Sequence, residues 1–388
     1  MKPKAAAQPG LAAALGLLLA LASTACGGAK PEPAPPFVPG EAQIYRDRAP
    51  ATEERTCAWY GDARDGVLYF GEAAFWSSYR ASGKDPTADL GQPGPLWIGR
   101  FDLVAQRFLP PLAIDVLGSR SGVWDVLAHP NGRVYFTSYF DDAGFVDPRS
   151  GEVQLFPALG HGLNELALGP DGTLLASRYG APGSVLLFDP EGRLLAEHRL
   201  APPPGFRVAP KSVAYDPARR EIWVNTDLLP DAGGAVGHDA RVLDLAGREL
   251  LRLERPEVQF MHFAADGAGA LAELAGRRLE LRLLPPGAPG APRPPGRLVL
   301  LDDAFPTGLD FVQDLKPAPG GGLVVTRWSG RIQRVAPDGG VTTIDLPRAE
   351  ADAVYYTAVQ SDQRICATLC ADVEVVCRPL PPAAGDLR

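Results

Sequence analysis

A β-hairpin signature recurs seven times along the chain. The clearest copy is LNELALGPDGTLLASRY, Leu163–Tyr179, in which two short apolar strands flank a Pro-Asp-Gly turn. Proline presets the first φ angle of such a turn, and glycine tolerates a positive φ angle. One hairpin cannot bury its own face, so the recurrence predicts a repeat protein. The other copies are Cys57–Glu72, Val123–Tyr139, Pro210–Thr226, Val258–Leu274, Val312–Trp328 and Tyr355–Leu369.

The spacing of these copies indicates the architecture. Successive turns lie roughly forty to sixty-five residues apart, which is typical of four-stranded propeller blades. A second hairpin follows four of the copies, at Gly144–Phe156, Ser184–Leu200, Ala240–Leu253 and Gly330–Leu346. The 43 glycines and 40 prolines suit such a turn-rich fold. We therefore predict an all-β fold, a single seven-bladed β-propeller of four-stranded antiparallel blades. Six blades are the alternative if the first copy only completes the last blade.

The N-terminus has the features of an export signal. Lys2 and Lys4 precede an apolar stretch, Leu11–Leu21, that is too short for a stable membrane span. The following LASTAC run resembles a bacterial lipobox, which implies lipidation of Cys26 and, with Gly27 after it, an outer-membrane destination. Plain secretion with cleavage at the same small residues is the alternative.

These features divide the chain into four parts. We expect a lipoprotein signal peptide over 1–25, a lipidated cysteine with a Pro-rich linker over 26–54, the propeller over 55–382 and a tail over 383–388. The chain has a net charge of −8 and no basic stripe that could neutralise phosphates, so we expect no nucleic-acid partner. We expect a monomer that contacts the membrane only through its lipid anchor.

Four further cysteines, Cys57, Cys366, Cys370 and Cys377, fit an oxidising compartment. Four cysteines allow three connectivities, and the sequence does not choose among them. One lies at the start of the propeller and three lie at its end. If all four are oxidised, a bridge to Cys57 would tie the two ends of the ring together.

The first strand of each repeat predicts the residues of the central channel. Period-two alternation would place Leu166 and Leu168 between blades and the positions of Glu165 and Ala167 toward the channel. The residues at the Glu165 position of the seven copies are Trp59, Asp125, Glu165, Ser212, Phe260, Asp314 and Tyr356. The three carboxylates repel one another, so either their pKa values rise or positive charge lies among them. That charge could be Ca²⁺ or another divalent ion, or the ammonium group of Lys316. His262 also falls at a channel-facing position.

The assembled pattern resembles the NHL-repeat and gluconolactonase-like propellers over residues 55 to 382. That family binds a divalent metal at the channel mouth, and Asn164 matches the asparagine of its PNGLAFSPDG segment. Lys211 stands where the family places an aspartate, and Asp125 stands where it places an early glutamate. The resemblance carries over Asn164, which together with the channel carboxylates Asp125, Glu165 and Asp314 would form the metal set of a lactonase- or esterase-like hydrolase.

The longest predicted loop, Phe70–Trp97, carries Phe75, Trp76 and Tyr79. These rings could stack on a sugar or a partner peptide, or pack over the mouth of the ring. We therefore predict an envelope-anchored module that binds a ligand, an envelope protein or a glycan. The alternative is the metal-dependent hydrolase.

Overall fold

A computed structural model describes most of the propeller region as seven four-stranded antiparallel sheets. The described residues are 42–47, 58–72, 93–119, 122–138, 141–179, 182–253, 257–293, 295–303, 312–347, 354–361, 364–370 and 373–380. The seven-bladed prediction is confirmed, and each sequence copy of the hairpin supplies the first two strands of one blade.

The first strand of the chain is β1 (Gln43–Arg46). Blades one and two comprise β2 (Ala58–Arg64), β3 (Val67–Glu72), β4 (Pro93–Asp102), β5 (Arg107–Ser119), β6 (Asp125–Ala128), β7 (Val134–Thr137), β8 (Gly144–Val146) and β9 (Val153–Leu155). Blades three and four comprise β10 (Leu163–Leu168), β11 (Leu174–Arg178), β12 (Ser184–Phe188), β13 (Leu194–Arg199), β14 (Phe206–Asp216), β15 (Glu221–Pro230), β16 (Gly237–Asp244) and β17 (Glu249–Leu253).

Blades five and six comprise β18 (Glu257–Phe263), β19 (Gly269–Ala275), β20 (Arg278–Leu284), β21 (Arg297–Asp302), β22 (Val312–Pro317), β23 (Leu323–Arg327), β24 (Arg331–Val335) and β25 (Val341–Asp345). The last hairpin strands are β26 (Val354–Gln360), β27 (Arg364–Cys370) and β28 (Val373–Pro379). Two 3-10 turns, Pro157–Leu159 and Pro170–Gly172, lie in the described part of the chain, where no helix is long and apolar enough to cross a membrane.

The first strand of each blade lines the axis of the ring. These inner strands, in ring order β2, β6, β10, β14, β18, β22 and β26, contact one another in sequence, and β26 contacts β2. We call the end of the ring where the inner strands begin the loop face. The opposite end, where tight turns such as Asp65–Gly66 join the first and second strands, is the turn face.

Local turn chemistry explains why the hairpins form. Gly172 in the opening motif has a φ angle of +76° and Asp171 one of +54°, so the turn uses two left-handed residues rather than the glycine alone. In the outer hairpin of the same blade, Asp189 Oδ1 accepts hydrogen bonds from the Glu191 and Arg193 amides at 3.2 and 2.8 Å. Such aspartate-capped turns hold consecutive strands in register.

The seventh blade is built from both ends of the chain. Its order is β26, β27, β28 and β1, and Gln43 lies opposite Cys377. Tyr45 packs into the core shared with the first blade, and its ring lies 5.2 Å from that of Phe101. The predicted linker over 26–54 therefore includes a strand of the propeller. Four residues with one buried side chain produce too little periodicity to be recognised.

The hydrophobic core is divided into seven clusters, one at each blade junction. Leu166 belongs to the cluster between blades two and three, whereas Ala167 packs against the cluster between blades three and four. Alternate residues of an inner strand thus face the two neighbouring blades, not one blade and the channel. The placement of Leu168 between blades was wrong, because this strand-end residue is 41% exposed.

One disulfide joins Cys366 to Cys377, which are opposed on β27 and β28 with a Cα–Cα distance of 4.1 Å. Cys370 is disulfide-bonded as well. Cys57 lies outside the described residues, so the bridge between the two ends of the ring stays a prediction. Cys26, the signal peptide, the C-terminal tail, and Phe75, Trp76 and Tyr79 of the long loop also lie outside the described residues.

Six of the seven inner strands carry a register shift near the loop face, the geometry of a β-bulge. A bulge leaves backbone groups without partners in their own sheet, and buried backbone groups must be satisfied elsewhere. Side chains that lie near the junctions supply the missing partners, so a hydrogen bond joins every blade to the next.

In ring order the seven bonds are Asp62 Oδ2 with Ala128 N (3.1 Å), Thr137 Oγ1 with Asn164 O (2.6 Å), Ser177 Oγ with Lys211 O (3.0 Å), Asn225 Nδ2 with Gln259 O (3.0 Å), Gln259 Oε1 with Val312 N (3.0 Å), Thr326 Oγ1 with Ala358 N (3.0 Å) and Thr368 Oγ1 with Trp59 O (3.0 Å). We call this set the junction ring.

The junction ring can be tested at Thr326, which is fully buried. Thr326→Val keeps the shape of the side chain but removes the acceptor for the Ala358 amide. We expect a loss of about 1–3 kcal/mol in the free energy of unfolding, because a buried donor is left unsatisfied. Urea denaturation of this variant and of Thr342→Val, at an exposed position of β25, measures the difference. Equal midpoints for the two variants would contradict the assignment.

Candidate functional site

The predicted layer of channel residues lies at the bulges near the loop face. Asp125 opens β6, while Glu165 and Tyr356 fall within the register shifts of β10 and β26. Bulges redirect side chains, and here they turn polar and aromatic groups of several blades toward one axis.

Tyr60, which the sequence analysis missed, lies on the axis of the ring. Its hydroxyl donates a 2.8 Å hydrogen bond to Gln313 Oε1 of blade six, and its ring lies 6.4 Å from that of Phe260 of blade five. Burial raises its pKa well above the ordinary value, and the charges of Tyr356, Glu165, Asp314 and Asp125 raise it further. Groups on five other blades therefore either contact Tyr60 or affect its pKa.

Aromatic rings cover one side of the axis. Trp59 lies 4.4 Å from Trp124 in an edge-on contact and stacks on Tyr356 with a centroid distance of 5.5 Å. Tyr356 also makes an edge-on contact with Tyr60 at 5.0 Å, and Trp328 lies 6.4 Å from Tyr356. We call these five rings the aromatic sector. They belong to blades one, two, six and seven.

Carboxylates and one ammonium group occupy the rest of the axis. Lys316 Nζ lies 3.4 Å from Asp314 Oδ2. Burial alone would lower the pKa of Lys316, but Asp314, Asp62, Asp125 and Glu165 together raise it above the ordinary value. Lys316 thus compensates the carboxylates of four blades, the role considered for it from the sequence.

Two of the carboxylates are held by donors of the fold. Asp125 Oδ2 accepts the Leu166 amide at 2.7 Å, and Asp314 accepts the Leu315 amide and the Thr357 hydroxyl, each at 2.8 Å. Glu165 differs from them. Its side chain is partly exposed, and no residue that the structure describes forms a hydrogen bond or ion pair with its carboxylate.

The shared environment raises the pKa of all three groups. Burial is the main cause in each case, and it raises the pKa of Asp125 to about 7 despite the charge of Lys316. The pKa of Glu165 rises well above its usual value, because Asp125 and Asp314 add to the effect of burial. Burial likewise raises the pKa of Asp314.

Asn164, assigned to the metal set by the family resemblance, is directed elsewhere. Its Nδ2 donates to Lys211 O at 2.6 Å, and its own carbonyl accepts from Thr137. Among the described residues, no three His, Cys, Asp or Glu side chains are arranged to hold a metal ion. Lys316 supplies positive charge in this arrangement, and a divalent ion bound by Asp125, Glu165 and Asp314 stays a prediction.

Two other predicted channel residues, Ser212 and His262, form no hydrogen bond or ion pair with the described carboxylates of the axis. Ser212 is buried, and its hydroxyl has no hydrogen-bond partner among the described residues. Burial and the charge of Lys316 lower the pKa of His262 to about 4, so its ring is neutral near pH 7. His262 lines a cavity of about 730 Å³ between blades five and six on the turn face.

A second group of titratable side chains lies beside the channel, toward the loop face. His238 Nδ1 lies 3.0 Å from Asp227 Oδ1, and Tyr179 donates to Asp227 Oδ2 at 3.3 Å. Lys211 Nζ lies 3.9 Å from Asp227 Oδ1 and is close enough to Glu165 to lower the pKa of that carboxyl. The sequence analysis noted Lys211 but not Asp227 or His238 as a pair. A pairing across β15 and β16 brings the two together.

Solved structures of similar shape include bacterial lyases. Two are virginiamycin B lyase from Staphylococcus aureus: a catalytically inactive histidine-to-alanine variant with quinupristin (12% identity, TM-score 0.58) and a selenomethionine-substituted form (11%, 0.58). Each match covers 88% of this chain and 100% of the other. A streptogramin B lyase structure matches with 12% identity and a TM-score of 0.57 over 87% of this chain and 97% of that chain.

These similarities show the fold alone. The similar structures are seven-bladed propellers, as is this chain. No protein-family model matches the sequence, and no curated protein matches it.

The raised carboxyl pKa values predict how stability depends on pH. Because Asp125 has a pKa of about 7 in the fold and an ordinary pKa of 3.8, the folded state binds more protons than the unfolded state between these pH values. Stability should therefore fall as the pH rises through this window. In Asp125→Asn, whose amide oxygen still accepts the Leu166 amide, we expect this fall to be smaller by about 2–4 kcal/mol.

Urea denaturation at pH 4, 6 and 8 measures this effect, with Asp231→Asn on an exposed loop as the matched control. The same pH dependence in both variants would show that Asp125 does not titrate as described.

Proposed function

We propose that this chain is an exported, lipid-anchored binding module that holds a cationic ligand at the loop-face end of its central channel. The ligand class is an organic ammonium or guanidinium group on an apolar body, such as a basic peptide side chain. The observation that carries the proposal is the Glu165 carboxylate, which forms no hydrogen bond or ion pair with any described residue.

The charge balance of the axis favours a cation. Asp62, Asp125, Glu165 and Asp314 surround one ammonium group, that of Lys316. A carboxylate in such a site is protonated unless positive charge approaches it, as the raised pKa of Glu165 indicates. A ligand ammonium group beside Glu165 would stabilise the ionised form and gain a charge-assisted hydrogen bond.

The aromatic sector suits the rest of such a ligand. Tryptophan and tyrosine faces attract cations and provide a rigid apolar surface. Because these rings are already stacked on one another, little conformational entropy would be lost when a ligand binds. A carboxylate ligand at this site would be repelled by the like charge of Glu165.

The predicted anchor is compatible with a site at this end. β1 runs antiparallel to β28 and begins at the turn face, so the chain enters the ring opposite the proposed site. A lipid anchor at Cys26 would thus join the propeller at the face opposite the proposed site.

Benzylammonium, which combines an aromatic ring and an ammonium group, is a suitable probe. We expect it to bind the full chain in isothermal titration calorimetry, more tightly at pH 8 than at pH 6, because Glu165 must be ionised. Glu165→Gln should weaken binding by about tenfold or more, since a charged hydrogen bond is lost. Benzyl alcohol serves as the neutral control ligand.

Glu152→Gln, at an exposed position of the second blade, is the matched control variant. Equal affinity in the Glu165 and Glu152 variants, or no preference for benzylammonium over benzyl alcohol, would refute a cation site at Glu165.

A second function, hydrolysis of a lactone or ester, is favoured by the pair of Asp227 and His238. A carboxylate on Nδ1 orients the imidazole and makes Nε2 the basic nitrogen, the arrangement of a general base. The ring is partly exposed, and the Asp227 that holds it also lies 3.9 Å from Lys211 Nζ. The resemblance to gluconolactonase-like propellers suggests lactones as substrates, and one similar structure, virginiamycin B lyase, is inactive as a histidine-to-alanine variant.

A panel of lactones and chromogenic esters, assayed with and without Ca²⁺, tests this function. If His238 acts as the base, we expect His238→Gln to lower kcat/KM by about a hundredfold. His161→Gln is the matched control, since His161 forms a looser pair with Asp142 at 3.4 Å on the surface. No turnover above background, or equal activity in both variants, would count against hydrolysis at His238.

A further inference from the structure

Four arginines line a small pocket on the turn face, away from the proposed channel site. The pocket lies between blades one and two and has a volume of about 220 Å³. Its walls come from the turn after β2, the paired strands β4 and β5, and the turns that precede β7 and β9. The arginines are Arg64, Arg100, Arg133 and Arg149.

Contacts with neutral groups hold three of these side chains. Arg100 Nε donates to Pro110 O at 2.7 Å, and Arg64 donates to Pro130 O at 3.3 Å. The Arg133 guanidinium lies 4.0 Å above the centre of the Phe145 ring. Such contacts orient the guanidinium groups without neutralising their charge.

The described carboxylates near the pocket neutralise little of this charge. Asp65, the one acidic lining residue, is 86% exposed and lies 3.7 Å from Arg64 Nε. Glu191 is 67% exposed and lies 3.5 Å from Arg133. Asp147 accepts the backbone amides of Arg149 and Ser150, and these bonds lower its pKa more than the charges of Arg149 and Arg133 do. A solvated ion pair contributes little, so the pocket keeps excess positive charge in a chain of net charge −8.

Tyr69 adds a donor to the same pocket. It lies opposite Arg100 in the pairing of β3 with β4, and the charges of Arg100 and Arg149 both act on its hydroxyl. Burial lowers the pKa of Arg100, as expected for a guanidinium removed from water without a close carboxylate. The pocket thus combines four cations with a phenol group.

The equivalent slot between blades five and six is different. That cavity is lined mainly by apolar residues, and Arg297, its one arginine, donates both of its terminal nitrogens to the carbonyls of Pro337 and Asp338. A cavity between two blades of this protein is therefore not always lined by several arginines. The charge of the first slot is a local property of blades one and two.

We propose that the pocket formed by Arg64, Arg100, Arg133 and Arg149 binds the phosphoryl group of a phosphomonoester. Such a group carries close to two negative charges near neutral pH and has three acceptor oxygens. It can therefore bind several guanidinium groups at once, which a single carboxylate ligand does less well. The volume admits the phosphoryl group and a small organic body. Because the chain enters the ring at this same face, the phosphoryl group can belong either to a lipid headgroup or to a soluble compound.

Binding to the full chain can be measured with inorganic phosphate and glucose 6-phosphate by calorimetry, and with phosphatidic acid in phosphatidylcholine vesicles by co-sedimentation. Acetate and pure phosphatidylcholine vesicles are the control probes. We expect Arg100→Gln and Arg133→Gln each to weaken phosphoryl binding by about tenfold or more, because a charged hydrogen-bond donor is lost. Arg193→Gln, at a 78% exposed arginine of the third blade, should bind as the parent chain does.

Thermal denaturation of the three variants separates loss of binding from loss of folding. Arginine-dependent binding to glucose 6-phosphate supports a soluble phosphomonoester, and such binding to phosphatidic acid vesicles alone supports a lipid headgroup. The proposal is overturned if no phosphoryl probe binds, if acetate binds as tightly, or if both folded pocket variants bind like Arg193→Gln.

Discussion

The hydrogen bonds of the junction ring connect the blades to one another and to the channel. Hydrophobic packing between blades is abundant but non-directional, whereas a bond from a threonine or asparagine to one backbone group fixes the position of the next blade. The groups that accept or donate these bonds lie mostly at bulges. The bulges in turn place Tyr60, Glu165 and Asp314 at the axis, so closure of the ring and construction of the site use the same irregularity.

This arrangement explains how one channel tolerates several carboxylates. Asp125 and Asp314 are held by donors of neighbouring strands, and Lys316 compensates their charge. No described residue donates a hydrogen bond to the Glu165 carboxylate, and the charges of Lys316 and Lys211 lower its pKa only in part. The charge of Glu165 is therefore less compensated than that of Asp125 or Asp314, and this difference is the basis of the proposed cation site.

The repeat was predictable because turn chemistry is local, and most copies place glycine, proline, asparagine or aspartate between two apolar strands. The closing strand β1 was not, because its one buried residue, Tyr45, carries no pattern. Asp125, Glu165 and Asp314 could be found by aligning the copies. Tyr60 could not, because a bulge shifts the period of two, and the four arginines could not, because separate turns of two blades bring them together.

The use of both chain ends in the seventh blade has a consequence for the order of events during synthesis. β1 is among the first propeller residues made, yet its partner β28 is the last strand. Until the final hairpin is complete, β1 is an unpaired edge and the first blade lacks one neighbour. A prematurely terminated chain would therefore keep both exposed surfaces, which would make it recognisable to proteases before it could accumulate as a nearly complete ring.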